Sequence, residues 1–122
     1  LTGAVAFRRD WMARVGVTPS TALVATVKGD SMLPTLSDGD LVLIDSAKRI
    51  PRGRRIYALI APDGEARIKR LEKLPAGLLL QSDNDDYASE LIPTHDADRV
   101  NILGEVVWWG HTVGGGSDGT LR

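Results

Sequence analysis

Ser31, set in Gly29-Asp30-Ser31-Met32-Leu33-Pro34-Thr35-Leu36, and Lys69, set in Arg67-Ile68-Lys69-Arg70-Leu71, pair a hydroxyl with an amine. A serine hydroxyl is a weak nucleophile until a base takes its proton, and an uncharged lysine can be that base. The requirement falls on the lysine. Moving a lysine from its ordinary pKa of about 10.4 to about 7 costs about 4.6 kcal/mol against the charged form. Burial must supply most of that, because taking an ammonium out of water favours the neutral amine. Gly29 lets backbone approach a substrate closely, and the peptide groups of Gly29, Asp30 and Met32 around the serine are candidates for positioning a substrate or holding the oxyanion of an acyl-transfer intermediate.

Two other constellations are weaker. His95 and Asp96 could join a serine in a triad, yet His95 follows Pro93-Thr94 in an expected loop with no supporting motif. Asp83, Asp85 and Asp86 hint at a calcium loop, but Ala88 and Thr94 stand where that loop needs glycine and glutamate, so a solvated acidic turn is expected. No metal and no cofactor is implied.

The elements that would position the pair read as short strands. Leu23 to Lys28 is rich in β-branched residues and runs towards Gly29, which puts Ser31 at a strand end. Asp38-Gly39 supplies a turn before an apolar strand from Leu41 to Asp45. Further strands are expected at Arg55 to Ala61, Ala66 to Leu74, Leu78 to Ser82 and Ile102 to Trp109, with Pro62-Asp63-Gly64 as the hairpin that leads into the lysine-bearing strand. Alternation puts Arg67, Lys69 and Leu71 on one face and Ile68 on the other, which leaves the burial of Lys69 undecided. Before the first strand, Phe7, Trp11 and Val15 recur at helical spacing, Gly16 can end that helix, and Thr18-Pro19-Ser20 breaks the pattern. The expectation is a mostly β fold of twisted antiparallel sheets or a partial barrel, with a short N-terminal helix. It divides into a helical lead-in over 1–22, the body of the domain over 23–113 and a glycine-rich flexible tail over 114–122.

Composition narrows the function. With 122 residues, 43% of them hydrophobic, the chain has material for one core. Fifteen Lys+Arg against sixteen Asp+Glu leave a net charge of -1, which argues against a broad nucleic-acid or membrane-binding surface. The absence of cysteine excludes disulfides, thiolate metal sites and cysteine nucleophiles. No apolar run approaches the roughly 18 residues of a membrane helix and no signal-peptide pattern opens the chain, so a soluble cytoplasmic protein is expected.

The run Val27-Lys28-Gly29-Asp30-Ser31-Met32-Leu33-Pro34-Thr35-Leu36-Ser37-Asp38-Gly39-Asp40-Leu41-Val42-Leu43-Ile44-Asp45, followed by Gly64-Glu65-Ala66-Arg67-Ile68-Lys69-Arg70-Leu71, resembles the LexA and phage-repressor peptidase family. The likeness continues through Leu78-Leu79-Leu80-Gln81-Ser82-Asp83-Asn84, Tyr87 and Ile102-Leu103-Gly104-Glu105-Val106-Val107-Trp108, and the segment around Trp11 is similar to the stretch preceding this domain in phage-type repressors. The resemblance implies a LexA-type fold and an autopeptidase in which Ser31 attacks a bond of its own polypeptide with Lys69 as base. It also implies a homodimer, for which Val106, Val107, Trp108 and Trp109 are candidate interface or core residues. Cleavage in such repressors separates a helix-turn-helix DNA-binding domain, is promoted by the RecA filament after DNA damage, and relieves repression. Two features depart from that pattern. No Ala-Gly or Cys-Gly bond precedes Ser31, the only Ala-Gly being Ala76-Gly77, and no DNA-binding domain is present. Both are expected of a cleavage product or a trimmed fragment. The alternatives are a UmuD-like polymerase subunit, which sheds a short arm, and a noncatalytic dimerisation module; a signal peptidase would need a membrane anchor.

Overall fold

A computed structural model describes residues 8–111. Its strands are β1 (Ala22–Thr26), β2 (Leu41–Asp45), β3 (Ile56–Ile60), β4 (Ala66–Leu74), β5 (Gly77–Gln81), β6 (Glu90–Pro93) and β7 (Asn101–Gly110), preceded by helix α1 (Arg9–Val15). They form one open seven-stranded sheet in the order β1-β2-β7-β3-β4-β5-β6, and every pairing is antiparallel. The mostly β, antiparallel expectation therefore holds, with β7 threaded between β2 and β3. Register shifts at Leu43/Ile44 and Ala58/Leu59 mark irregularities where β7 meets those neighbours.

Two apolar faces organise the sheet. On one, Val27, Met32, Leu36, Val42, Ile44, Ile56, Ala58 and Val106 form a core, with Leu23, Ala25, Ile68 and Leu103 against it. On the other side of β1 and β2, Leu43 meets Met12 and Val17, flanked by Trp11, Val24, Val107 and Trp108. Strand alternation produces this division, since successive side chains point to opposite faces. The rings of Trp11 and Trp108 meet edge to face with centroids 5.1 Å apart. α1 ends at Gly16, whose φ of 95° is a left-handed cap that a side chain would strain.

The described helix carries the expected Trp11 and Val15, whereas Phe7 lies outside the described residues, and the boundary expected after residue 22 falls inside β1, because α1 and Val17 pack directly on the sheet. The tail expected over 114–122 lies outside the described residues. Of the residues suggested for a dimer interface, Val106 is buried, Val107 and Trp108 pack in the α1 core, and Trp109 is exposed.

β6 and the 3-10 helix Thr94–Arg99 replace the loop expected around Pro93 and His95. β6 is an edge strand, the setting in which a sheet tolerates proline.

Candidate active site

Ser31 does not sit at a strand end. β1 stops at Thr26, and the ladder reaches only one residue further, where Val27 N–H donates to Asp40 C=O at 2.8 Å and Val27 C=O accepts from Gly39 N–H at 2.9 Å. Gly29 then turns the chain with a φ of 83°, its N–H capped by Asp38 Oδ1 at 2.7 Å. That bond corrects one expectation, because a Gly29 N–H committed to Asp38 is not available to an oxyanion. Ser31 opens a compact turn in which Leu33 N–H reaches Asp30 C=O at 3.2 Å and the N–H groups of Thr35 and Leu36 both reach Met32 C=O at 2.9 Å. Met32 and Leu36 are buried in the core, so apolar burial holds this turn down over β3 and β4. The side chain of Met32 is thereby a packing anchor, and any part it has in substrate positioning falls to its backbone. Among the described residues, the N–H groups of Ser31 and Met32 have no hydrogen-bond acceptor.

Lys69 lies on β4 opposite Tyr57 of β3. In the sheet order β2, β7 and β3 stand between β1 and β4, yet Ser31 and Lys69 line one open groove of about 980 Å³. The groove runs between Ala25–Lys28 on one side and residues 65–69 on the other, with Ile44, Ala58 and Leu103 in its lining. Among the described residues β1 pairs only with β2, so its other edge has no sheet partner there. The Lys69 amine donates to Ser82 Oγ at 2.8 Å and lies 5.7 Å from the centroid of the Tyr87 ring. Burial pushes its pKa below the ordinary lysine range, Arg67 adds repulsion, and the carboxylates of Glu65 and Glu90 pull the other way.

The segment 82–87 joins the two halves of the site, and sequence reasoning missed its role. Ser82 holds Lys69, while Asp83 takes Arg70 Nε at 2.6 Å and Thr35 Oγ1 at 2.5 Å. Asn84 donates its backbone N–H to Ser31 C=O and its side-chain amide to Asp30 C=O, both at 3.0 Å. The Tyr87 hydroxyl donates to Asp30 Oδ1, which pushes the phenol pKa up because the carboxylate favours the bound proton. Asp30 is therefore a tether for the serine turn. Burial alone would raise the Asp83 carboxyl, but the hydrogen bonds from Arg70 and Thr35 outweigh it and hold the pKa below its usual value. This corrects the solvated acidic turn: Asp83 is a partly buried ion-pair partner, whereas Asp85 and Asp86 are exposed. The signal available in the sequence was the placement of Ser82, Asp83, Asn84 and Tyr87 directly after an apolar strand. His95 is exposed beside Asp96 and does not line the groove.

The arrangement can bring a peptide carbonyl to a serine hydroxyl beside a partly desolvated amine, which is acyl-transfer chemistry. A family model described as Peptidase S24-like matches residues 2–107. The chain is 36% identical to the HTH-type transcriptional regulator PrtR of Pseudomonas aeruginosa over 98 residues, covering 77% of the chain and 38% of that protein. Against the repressor protein CI of Enterobacteria phage phi80 it is 35% identical over 106 residues, 84% of the chain and 43% of the relative. A LexA repressor from Gluconobacter oxydans is 35% identical over 83 residues, 67% of the chain and 33% of the relative. The chain thus spans less than half the length of these curated relatives.

Proposed function

The chain belongs to the Peptidase S24-like family, as a domain of the LexA and phage-repressor type, and from that premise we propose that it is the self-cleaving C-terminal domain of a transcriptional repressor. The observation that carries this reading is the meeting of Ser31 and Lys69 on one groove, with the amine pKa lowered by burial. A segment of the same polypeptide lies in the groove as an extended strand beside the free edge of β1, where backbone pairing fixes its direction. Ser31 Oγ attacks the scissile carbonyl carbon while its proton passes to the neutral Lys69 amine. The peptide N–H groups of Ser31 and Met32 are the nearest candidates for the developing oxyanion. As the C–N bond breaks, Lys69 returns the proton to the leaving nitrogen, giving an ester on Ser31. A water molecule then adds to the ester carbonyl, Lys69 accepting its proton and passing it back to Ser31 as the acid departs.

In this reading the protein is cytoplasmic, pairs with a second copy, and reaches DNA through a helix-turn-helix domain outside this chain, with a RecA filament as the inducing partner. Cleavage disconnects the DNA-binding part and relieves repression. The test is incubation of the full-length protein with Ser31→Ala or Lys69→Ala. Both variants keep the far-ultraviolet circular dichroism of the wild type and yield no cleavage products. Undiminished cleavage in either variant refutes the dyad.

A further inference from the structure

A neutral lysine amine has one lone pair, and only the orientation that turns it towards Ser31 is useful to a base. Among the described residues, the hydrogen bond that the Lys69 amine makes goes to Ser82 Oγ at 2.8 Å. One N–H fixed on that hydroxyl removes a rotational freedom of the amine and leaves the lone pair to face the groove. On another side stands the Tyr87 ring, 5.7 Å from the amine, and its hydroxyl is bonded to Asp30, the residue before the nucleophile. A lysine side chain carries several flexible torsions and loses about 2 kcal/mol of rotamer entropy when fixed. These contacts supply that restraint without using Ser31 itself.

We propose that Ser82 and Tyr87 are positioning residues for Lys69: Ser82 aims the amine, and Tyr87 seats it under a ring whose place is set by the serine turn. The proposal rests on the dyad reading and adds two residues whose contacts here are with Lys69 and Asp30 and not with the hydroxyl of Ser31. The coupling has a direction. A shift of the Ser31 turn moves Asp30, Asp30 moves the Tyr87 ring, and the ring moves the amine, so nucleophile and base are displaced together. The charged or titratable groups facing the amine are Arg67 and Glu65 near it on the chain, Glu90 of β6 and Tyr87. A hydroxyl acceptor and a ring face both favour the ammonium, in opposition to burial.

That opposition gives a signature that a merely structural role lacks. Ser82→Ala removes both the aim and a stabiliser of the ammonium. The alkaline plateau of self-cleavage by the full-length protein should fall about 10- to 100-fold, while the midpoint of its pH profile moves to lower pH. Ser82→Thr, which keeps the hydroxyl, should restore both. Tyr87→Phe keeps the ring and loses the Asp30 bond, so the plateau falls with the midpoint in place; Tyr87→Leu moves the midpoint as well. Titration of the Lys69 side chain by NMR in the 122-residue chain, assigned with Lys69→Arg, gives a reading that needs no cleavage. Its midpoint falls in Ser82→Ala. An unmoved Lys69 titration in Ser82→Ala, or a loss of rate in Ser82→Ala with an unmoved pH profile, overturns the proposal. Full cleavage by Ser31→Ala would sink the dyad reading instead and leave the lysine titration to stand by itself.

Discussion

Asn84 grips the peptide of Ser31 from a distant part of the chain, its backbone N–H on the Ser31 carbonyl at 3.0 Å and its side-chain amide on Asp30. The backbone bond survives any substitution except proline, whereas the amide bond depends on the side chain. Asn84→Ala therefore leaves residue 84 holding the turn by its backbone alone. We expect a loss of about 1 kcal/mol in stability and a cleavage rate lowered about tenfold or more, measured by urea unfolding and by the time course of the full-length protein. A variant that loses stability without loss of rate would show that the Asp30 tie is irrelevant to catalysis.

The lowered pKa of Lys69 fixes the sign of two pH dependences. Between its folded value and the ordinary lysine value, the folded chain binds fewer protons than the unfolded chain, so this residue's contribution to stability rises with pH across that window. The cost of the buried ammonium is felt in full below the folded pKa. Lys69→Met should then stabilise the domain by about 1 kcal/mol at neutral pH, with the gain shrinking as pH approaches 10. Thermal melts across that range measure it. Cleavage by the wild type follows the neutral amine and rises with pH, about tenfold per unit below the folded pKa, before levelling.

The Asp83 carboxyl runs the other way. Its pKa is held down in the folded state, so the stability it contributes is present above the unfolded carboxylate value and is lost as pH falls through the folded one. Asp83→Asn keeps the shape and removes the charge facing Arg70 and Thr35. It should cost about 2 kcal/mol at pH 7 and flatten the acid limb of the stability profile. An acid limb identical to the wild type would mean that other carboxylates govern it.

Gly104 is where β7 passes β2 too closely for a side chain. A Cβ there would lie 2.4 Å from the carbonyl oxygen of Asp45, in a backbone with φ of 158°. Both obstacles involve backbone, which has little room to yield. Gly104→Ala should destabilise the domain by about 2 kcal/mol or more, read as a lower denaturant midpoint, with Ser31 and Lys69 chemically untouched.

Much of this molecule is legible in its residues, for identifiable reasons. Leu41–Asp45 and Ala66–Leu74 are read with their observed bounds, because an apolar or alternating run lies between clear turn signals. β1 starts one residue and ends two residues earlier than read, and β5 lies one residue earlier at both ends, because pairing rather than propensity decides the last bridge. β6 escapes sequence reading because Glu90-Leu91-Ile92-Pro93 is short and ends in proline; it exists because β5 offers it a ladder, with Leu78 opposite Ile92. At the site, Ser31 and Lys69 announce themselves by type and context. Ser82 and Asn84 do not, since a serine and an asparagine after a strand look like turn chemistry until the fold shows what stands opposite. The exposure of Lys69 was likewise undecidable from alternation, because its surroundings come from residues 82–87 as well as from its own strand.

The contacts of residues 82–87 fall on alternate halves of the site: lysine strand, then both halves through Asp83, then serine turn, then both again through Tyr87. They depend on spacing as much as on identity. A substitution in this segment removes the contacts of one side chain, whereas a single inserted residue shifts every later one out of register with its partner. The segment is therefore far less tolerant of length change than of residue change, and a deletion or insertion there would uncouple nucleophile from base while leaving the sheet that carries Lys69 in place.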